Sequence, residues 1–190
     1  VTHNGGDPII IPVVGRTAIF GPRRGDFDGD GRSDLVFQDN SGFLAAWFMD
    51  GFTLKSGAFL TPRNVGDTNY RIVGSGDFNA DGQEDLVFQH TDGTLAVWIM
   101  NGIIVTDATL LNPRNPGDRN RRVVATGDLD RDGKVDLTFQ HTDGTLAVWF
   151  MDGINLKSAA VFNPSNPGDK NWKIVGVGDF DADGKLDLLF

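Results

Sequence analysis

Short apolar runs alternate with polar, glycine-rich breaks along the chain, and no window of 11 residues sustains the recurrence of an amphipathic helix. The pattern predicts strands of five to seven residues. One stretch shows the set in order: Arg122-Val-Val-Ala-Thr, Asp136-Leu-Thr-Phe-Gln, Thr145-Leu-Ala-Val-Trp-Phe-Met and Lys157-Ser-Ala-Ala-Val-Phe. Thr142-Asp143-Gly144 between the second and third predicts a tight hairpin, because Asp-Gly suits the turn. The first strand is small and glycine-flanked, as an innermost strand near a crowded axis should be. The third is apolar almost throughout, which requires both of its faces to be covered.

This unit repeats. Gly-Asp-Phe or Gly-Asp-Leu begins at Gly25, Gly76, Gly127 and Gly178, a period of 51 residues. Trp47, Trp98 and Trp149 keep the same register, as do Pro62, Pro113 and Pro164, and Asp67, Asp118 and Asp169. A fixed period of this length signals a solenoid or a propeller, and four antiparallel strands per period is a propeller blade. A sandwich of repeated hairpins would not require equal spacing. The expected fold is an all-β propeller of four-stranded antiparallel blades, about three and a half in this chain. The expected divisions are an N-terminal segment (1–16) that adds a strand elsewhere, blade 1 (17–68), blade 2 (69–119), blade 3 (120–170), and the first two strands of blade 4 (171–190). Such an array does not close a ring alone, so the expectation is either association of chains or a longer protein.

Each period also holds one acidic loop with the pattern D-x-[DN]-x-D-G-x-x-D. The residues at positions 1, 3, 5 and 9 are Asp26, Asp28, Asp30 and Asp34; Asp77, Asn79, Asp81 and Asp85; Asp128, Asp130, Asp132 and Asp136; and Asp179, Asp181, Asp183 and Asp187. Calcium takes six to eight hard oxygens in a flexible shell, which carboxylates at this spacing in one tight loop can supply. The backbone carbonyl at position 7 (Arg32, Gln83, Lys134 or Lys185) adds a further oxygen, and glycine at position 6 permits the sharp turn. An EF-hand would need Glu at position 12 and flanking helices; here position 12 is Phe37, Phe88, Phe139 or Phe190, each expected inside a strand. Up to four calcium ions are expected, one per loop.

Charge supports this reading. Of 26 acidic residues, 15 sit at these loop positions, and the formal net charge is −9. Like charges so crowded are costly without a counterion. The negative balance argues against nucleic acid and anionic membrane as partners. The absence of cysteine excludes disulfides, zinc–thiolate sites and thiol catalysis. No apolar run reaches the length of a membrane helix.

The loops at this spacing, each followed by an apolar strand, resemble the FG-GAP/VCBS repeat family. The resemblance implies a calcium-binding β-propeller, similar to integrin α-subunit heads, secreted bacterial proteins and a fungal propeller lectin. Gln38-Asp39-Asn40, Gln89-His90-Thr91 and Gln140-His141-Thr142 stand where Gly-Ala-Pro would follow the loops, so the variant looks bacterial rather than integrin-like.

Two sets of residues are candidates for ligand contact. Trp47, Trp98 and Trp149 either fill the gap between blades, which their apolar strand favours, or stack on sugar rings. His90 and His141 either end the second strand and bond the turn or, with Gln38, Gln89 and Gln140, serve a ligand. Three histidines and no cysteine offer no nucleophile–base arrangement, so no enzyme is expected. The resulting expectation is a secreted or cell-surface, calcium-stabilised binding module. Its partner is a glycan, by resemblance to propeller lectins, or a surface protein. The alternatives are a protein-interaction or structural propeller, or the non-catalytic part of a secreted polysaccharide-degrading enzyme.

Overall fold

Residues 85–88 show how one strand serves two neighbours. Leu86 and Phe88 join one apolar cluster with Phe27, Leu44, Ala46, Leu60 and Met100. Val87, between them, joins another with Val73, Leu95, Val97, Val123, Leu137, Phe139, Trp149 and Met151. Successive side chains of a strand point to opposite faces, so a sheet buried on both sides is apolar throughout. The protein is a stack of such sheets.

The computed structural model describes residues 25–190. The expected N-terminal segment and the first strand of blade 1 lie outside the described residues. Blade 1 shows β1 (Leu35–Gln38), β2 (Phe43–Asp50) and β3 (Thr53–Asn64). Blade 2 is β4 (Tyr70–Gly76), β5 (Asp85–His90), β6 (Leu95–Asn101) and β7 (Ile104–Leu110). Blade 3 is β8 (Arg121–Gly127), β9 (Asp136–His141), β10 (Leu146–Asp152) and β11 (Asn155–Val161). Blade 4 contributes β12 (Gly176–Gly178) and β13 (Asp187–Leu189). Consecutive strands within each blade pair antiparallel. Blades 1 and 2 join through one parallel pair, Thr61 with Ile104, and blades 2 and 3 through the matching bridge of Asn112 with Asn155. The architecture is a partial β-propeller.

The innermost strands approach closely. A Cβ at Gly74 of β4 would lie 2.4 Å from Thr126 Cγ2 of β8, while the Thr126 hydroxyl donates to Ser75 O at 2.7 Å. The small residues expected there are therefore a packing requirement. The outermost strands are mostly exposed, although they carry apolar residues such as Ile104, Leu110 and Val161.

Three glutamines tie blade to blade. Gln38 donates to Tyr70 O (2.8 Å) and accepts from Ile72 N (2.9 Å). Gln89 does the same with Arg121 O (3.0 Å) and Val123 N (3.1 Å), and Gln140 with Trp172 O (2.8 Å) and Ile174 N (3.3 Å). One side-chain amide thus serves a donor and an acceptor of the next blade's inner strand. Gln89→Leu removes both bonds at a buried site, and its expected cost is about 1–3 kcal/mol in urea unfolding.

Candidate metal centres

In each acidic loop the aspartates first organise the backbone. At position 1, Asp26, Asp77, Asp128 and Asp179 accept through Oδ2 from the N–H of position 6, at 2.8–3.0 Å. At position 3, Oδ1 of Asp28, Asn79, Asp130 and Asp181 accepts from the N–H of position 5. At position 5, Oδ1 of Asp30, Asp81, Asp132 and Asp183 accepts from the N–H of Arg32, Gln83, Lys134 and Lys185. Gly31, Gly82, Gly133 and Gly184 have φ of +78 to +85°. Around the first three of these, no atom lies within 4 Å of a Cβ, so glycine is needed there for conformation and not for space. Position 4 is also left-handed in every loop, including Ala80, Arg131 and Ala182. Nothing in those residue types announces it.

The ninth residue anchors the loop to the sheet. Asp34 accepts from Phe27 N (2.8 Å) and Met49 N (2.9 Å), Asp85 from Phe78 N (2.8 Å) and Met100 N (2.9 Å), and Asp136 from Leu129 N (2.8 Å) and Met151 N (3.0 Å). Asp187 takes Phe180 N at 3.0 Å. Asp34, Asp85 and Asp136 are buried. Burial pushes the Asp85 carboxyl up to about 6 despite its two backbone donors, and raises Asp34 and Asp136 for the same reason. At position 5 the balance is opposite: hydrogen bonds from Lys55, Lys157 and Lys185 hold Asp30, Asp132 and Asp183 below the usual carboxylate range.

These loops converge carboxylates. Ligand atoms of Asp26, Asp28 and Asp34 lie within 4.8 Å of one another, as do those of Asp128, Asp130 and Asp136, and of Asp179, Asp181 and Asp187. All the donors are hard oxygens, which fits calcium. The second loop places Asn79 where the others have Asp. Loops two, three and four lie in the hairpin between the first two strands of their blades, and loop one immediately precedes β1. Phe37, Phe88 and Phe139 at position 12 lie in strands; Phe190 instead follows the end of β13.

The tryptophans pack against the strand beside them. Trp47 meets Phe37 at 5.0 Å between ring centroids, Trp98 meets Phe88 at 4.9 Å and Trp149 meets Phe139 at 5.0 Å. Trp149 is buried in the layer between blades 2 and 3, while Trp47 and Trp98 are half-buried. A pocket of about 200 Å³ opens between blades 1 and 2, lined by Val65, Tyr70, Phe88, Trp98 and Leu110 among others.

His90 and His141 end their second strands, each between two carboxylates. His90 Nδ1 lies 2.7 Å from Asp92 in the hairpin, and Nε2 lies 3.4 Å from Asp67 in the crossover loop. His141 repeats this with Asp143 (2.8 Å) and Asp118 (3.0 Å). The turn's own bonds dominate its electrostatics. The N–H of Thr94 and of Thr145 hold Asp92 and Asp143 down at about 2. The crossover loops are fastened to the hairpins as well: Asn64, Asn115 and Asn166 donate to Ser41 O, Asp92 O and Asp143 O.

Comparison of the chain with individually curated proteins gives no match. The FG-GAP-like repeat matches three times in overlapping register, at residues 26–88, 77–139 and 128–190. Each match runs from one acidic loop into the second strand of the following blade, so the repeating unit includes the acidic loop. Together the matches span nearly all of the described residues, and the chain belongs to the FG-GAP-like repeat family.

Proposed function

We propose that this propeller is a calcium-stabilised extracellular binding module without catalytic activity of its own. The observation that carries the metal assignment is the convergence of carboxylates at positions 1, 3 and 9 in three loops set in register. Positions 1, 3, 5 and 9, with the carbonyl at position 7, would hold the ion. Bound calcium supplies two positive charges where each loop gathers three or four negative ones. The aspartates keep the loop closed around that point through their backbone bonds, and in loops one to three the ninth binds both the loop's second residue and the third strand of the blade. Millimolar calcium outside the cell fills even modest sites, which supports the extracellular reading.

For the ligand we infer a carbohydrate. The cleft between blades 1 and 2 presents Tyr70 and Trp98, ring faces of the kind that stack on sugars, beside the aliphatic Val65 and Leu110. At the matching place between blades 2 and 3, Arg121 stands in register with Tyr70 and Trp149 is buried.

Thermal unfolding in calcium and in chelator tests the metal. The expected result is a melting temperature at least several degrees lower on chelation, and equal curves would refute it. A glycan array with the parent and Trp98→Ala tests the ligand. Binding lost in the variant supports a sugar in this cleft. Binding to a surface protein with a blank array supports the protein-interaction reading.

A further inference from the structure

In blades 1, 2 and 3, the last strand skips one residue where its register shifts near the start, always at the same place in the repeat. Lys55 falls between the paired Leu54 and Ser56, Thr106 between Val105 and Asp107, and Lys157 between Leu156 and Ser158. A bulge re-aims its side chain. These side chains sit at the blade end that carries the acidic loop. Lys55 Nζ lies 2.5 Å from Asp30 Oδ2 and 3.5 Å from Asp28 Oδ2. Lys157 Nζ lies 2.8 Å from Asp132 Oδ2 and 3.9 Å from Asp130 Oδ2.

Blade 2 departs at both places together. Its bulge residue is the uncharged Thr106, and its third loop position is Asn79 instead of Asp. The Asn79 amide donates to Asp81 Oδ2 at 2.8 Å, taking the oxygen that the lysines take elsewhere. At positions 1, 3, 5 and 9 together with the bulge residue, loops one and three each hold four carboxylates and one ammonium, and loop two holds three carboxylates and none, so these positions sum to −3 in all three. The lysine and the extra carboxylate come and go as a pair.

We propose that Lys55 and Lys157 are tethered cations that stand in for calcium in the metal-free protein. Each holds its loop closed before the ion arrives and then competes with it, while loop two has no such occupant. This rests on the calcium reading of the loops. Its consequence is two classes of site: loops one and three release a protein cation on loading and depend less on calcium for their fold, and loop two depends on calcium alone.

The test uses the residue that blade 2 carries at this register, so the bulge is retained. Calcium chloride is titrated calorimetrically into the 190-residue chain and into Lys55→Thr/Lys157→Thr at low and moderate ionic strength, with melting curves in chelator. A unit charge about 5 Å from a divalent ion changes its affinity roughly tenfold even at water-like dielectric. The variant is expected to bind calcium roughly tenfold tighter at two sites, with a smaller gain at higher salt, and to melt lower than the parent in chelator. Thr106→Lys places the same charge beside loop two and is expected to weaken one site by a similar factor. Unchanged or weaker binding by the lysine variant, with the parent binding normally, overturns the proposal while leaving the calcium sites intact. A parent that binds no calcium overturns both. If the double variant does not fold, Thr106→Lys decides alone, and an unaltered second site refutes the competition.

Discussion

Asp136→Ala is expected to lower the stability of the metal-free protein by about 2–4 kcal/mol. The carboxylate is fully buried and holds Leu129 N at 2.8 Å and Met151 N at 3.0 Å. Alanine leaves both donors without an acceptor, Met151 N in the buried layer and Leu129 N partly buried. Each such orphan costs about 1–3 kcal/mol, and relief from burying a charge offsets part of the sum. Asp136→Asn keeps one acceptor and should lose less. Asp132→Ala is the control: its partners Lys134 N and Lys157 are at the surface, so its loss should be clearly smaller. Urea unfolding in chelator measures all three. In calcium the gap between parent and Asp136→Ala should widen, because the variant also lacks one of the proposed ligands. A loss no larger than that of Asp132→Ala would mean that the ninth residue does not anchor the loop to the sheet.

The second large effect concerns pH. Asp85 titrates at about 6 in the folded protein, against an ordinary aspartate value near 3.9 in the unfolded chain. Below about pH 4 both states hold the proton. Between about 4 and 6 the unfolded chain has released it and the native state has not, so stability falls as pH rises. Above 6 the penalty is complete, on the order of 2–3 kcal/mol. Asp34 and Asp136 add to it in the same direction. Asp92 and Asp143, held at about 2, act oppositely: their contribution is full above about pH 4 and is lost as pH falls toward 2. Metal-free stability should therefore peak near pH 4–5. The proposed calcium binding needs Asp85 ionised, so the rise in melting temperature expected with calcium should shrink between pH 7 and pH 5. Asp85→Asn should flatten both slopes. The check is a set of melting curves from pH 3 to 8 with and without calcium. A metal-free stability that climbs steadily from pH 4 to 7 would contradict the buried-carboxylate account.

Much of the molecule is legible in the sequence because the signals involved are local. In blade 3, alternation, the Asp-Gly turn and the 51-residue period gave the four strands to within one or two residues at the ends, whereas β3 runs to 12 residues and β12 and β13 to only 3 each. The acidic loops are equally plain, since their geometry is set by side chains two to five residues away. Other features left no local trace. Gln89 reads as the polar end of an apolar strand, and its two partners lie 32 and 34 residues onward in another blade. His90 reads as a candidate ligand contact, and its second carboxylate belongs to the crossover loop that precedes its own blade. Lys55 reads as an ordinary strand residue; only the bulge beside Met49 turns it toward Asp30, 25 residues earlier.

The sequence by itself thus determined the blade, the acidic loop and the charge each loop must carry, because chain neighbours set hairpins and turns wherever the segment lies. Tertiary structure decided which strand face meets which blade, which buried N–H groups the ninth aspartate serves, and which lysine reaches which loop. Those outcomes depend on strand register and on the close packing of neighbouring sheets, and a one-residue change of register reassigns every partner at once.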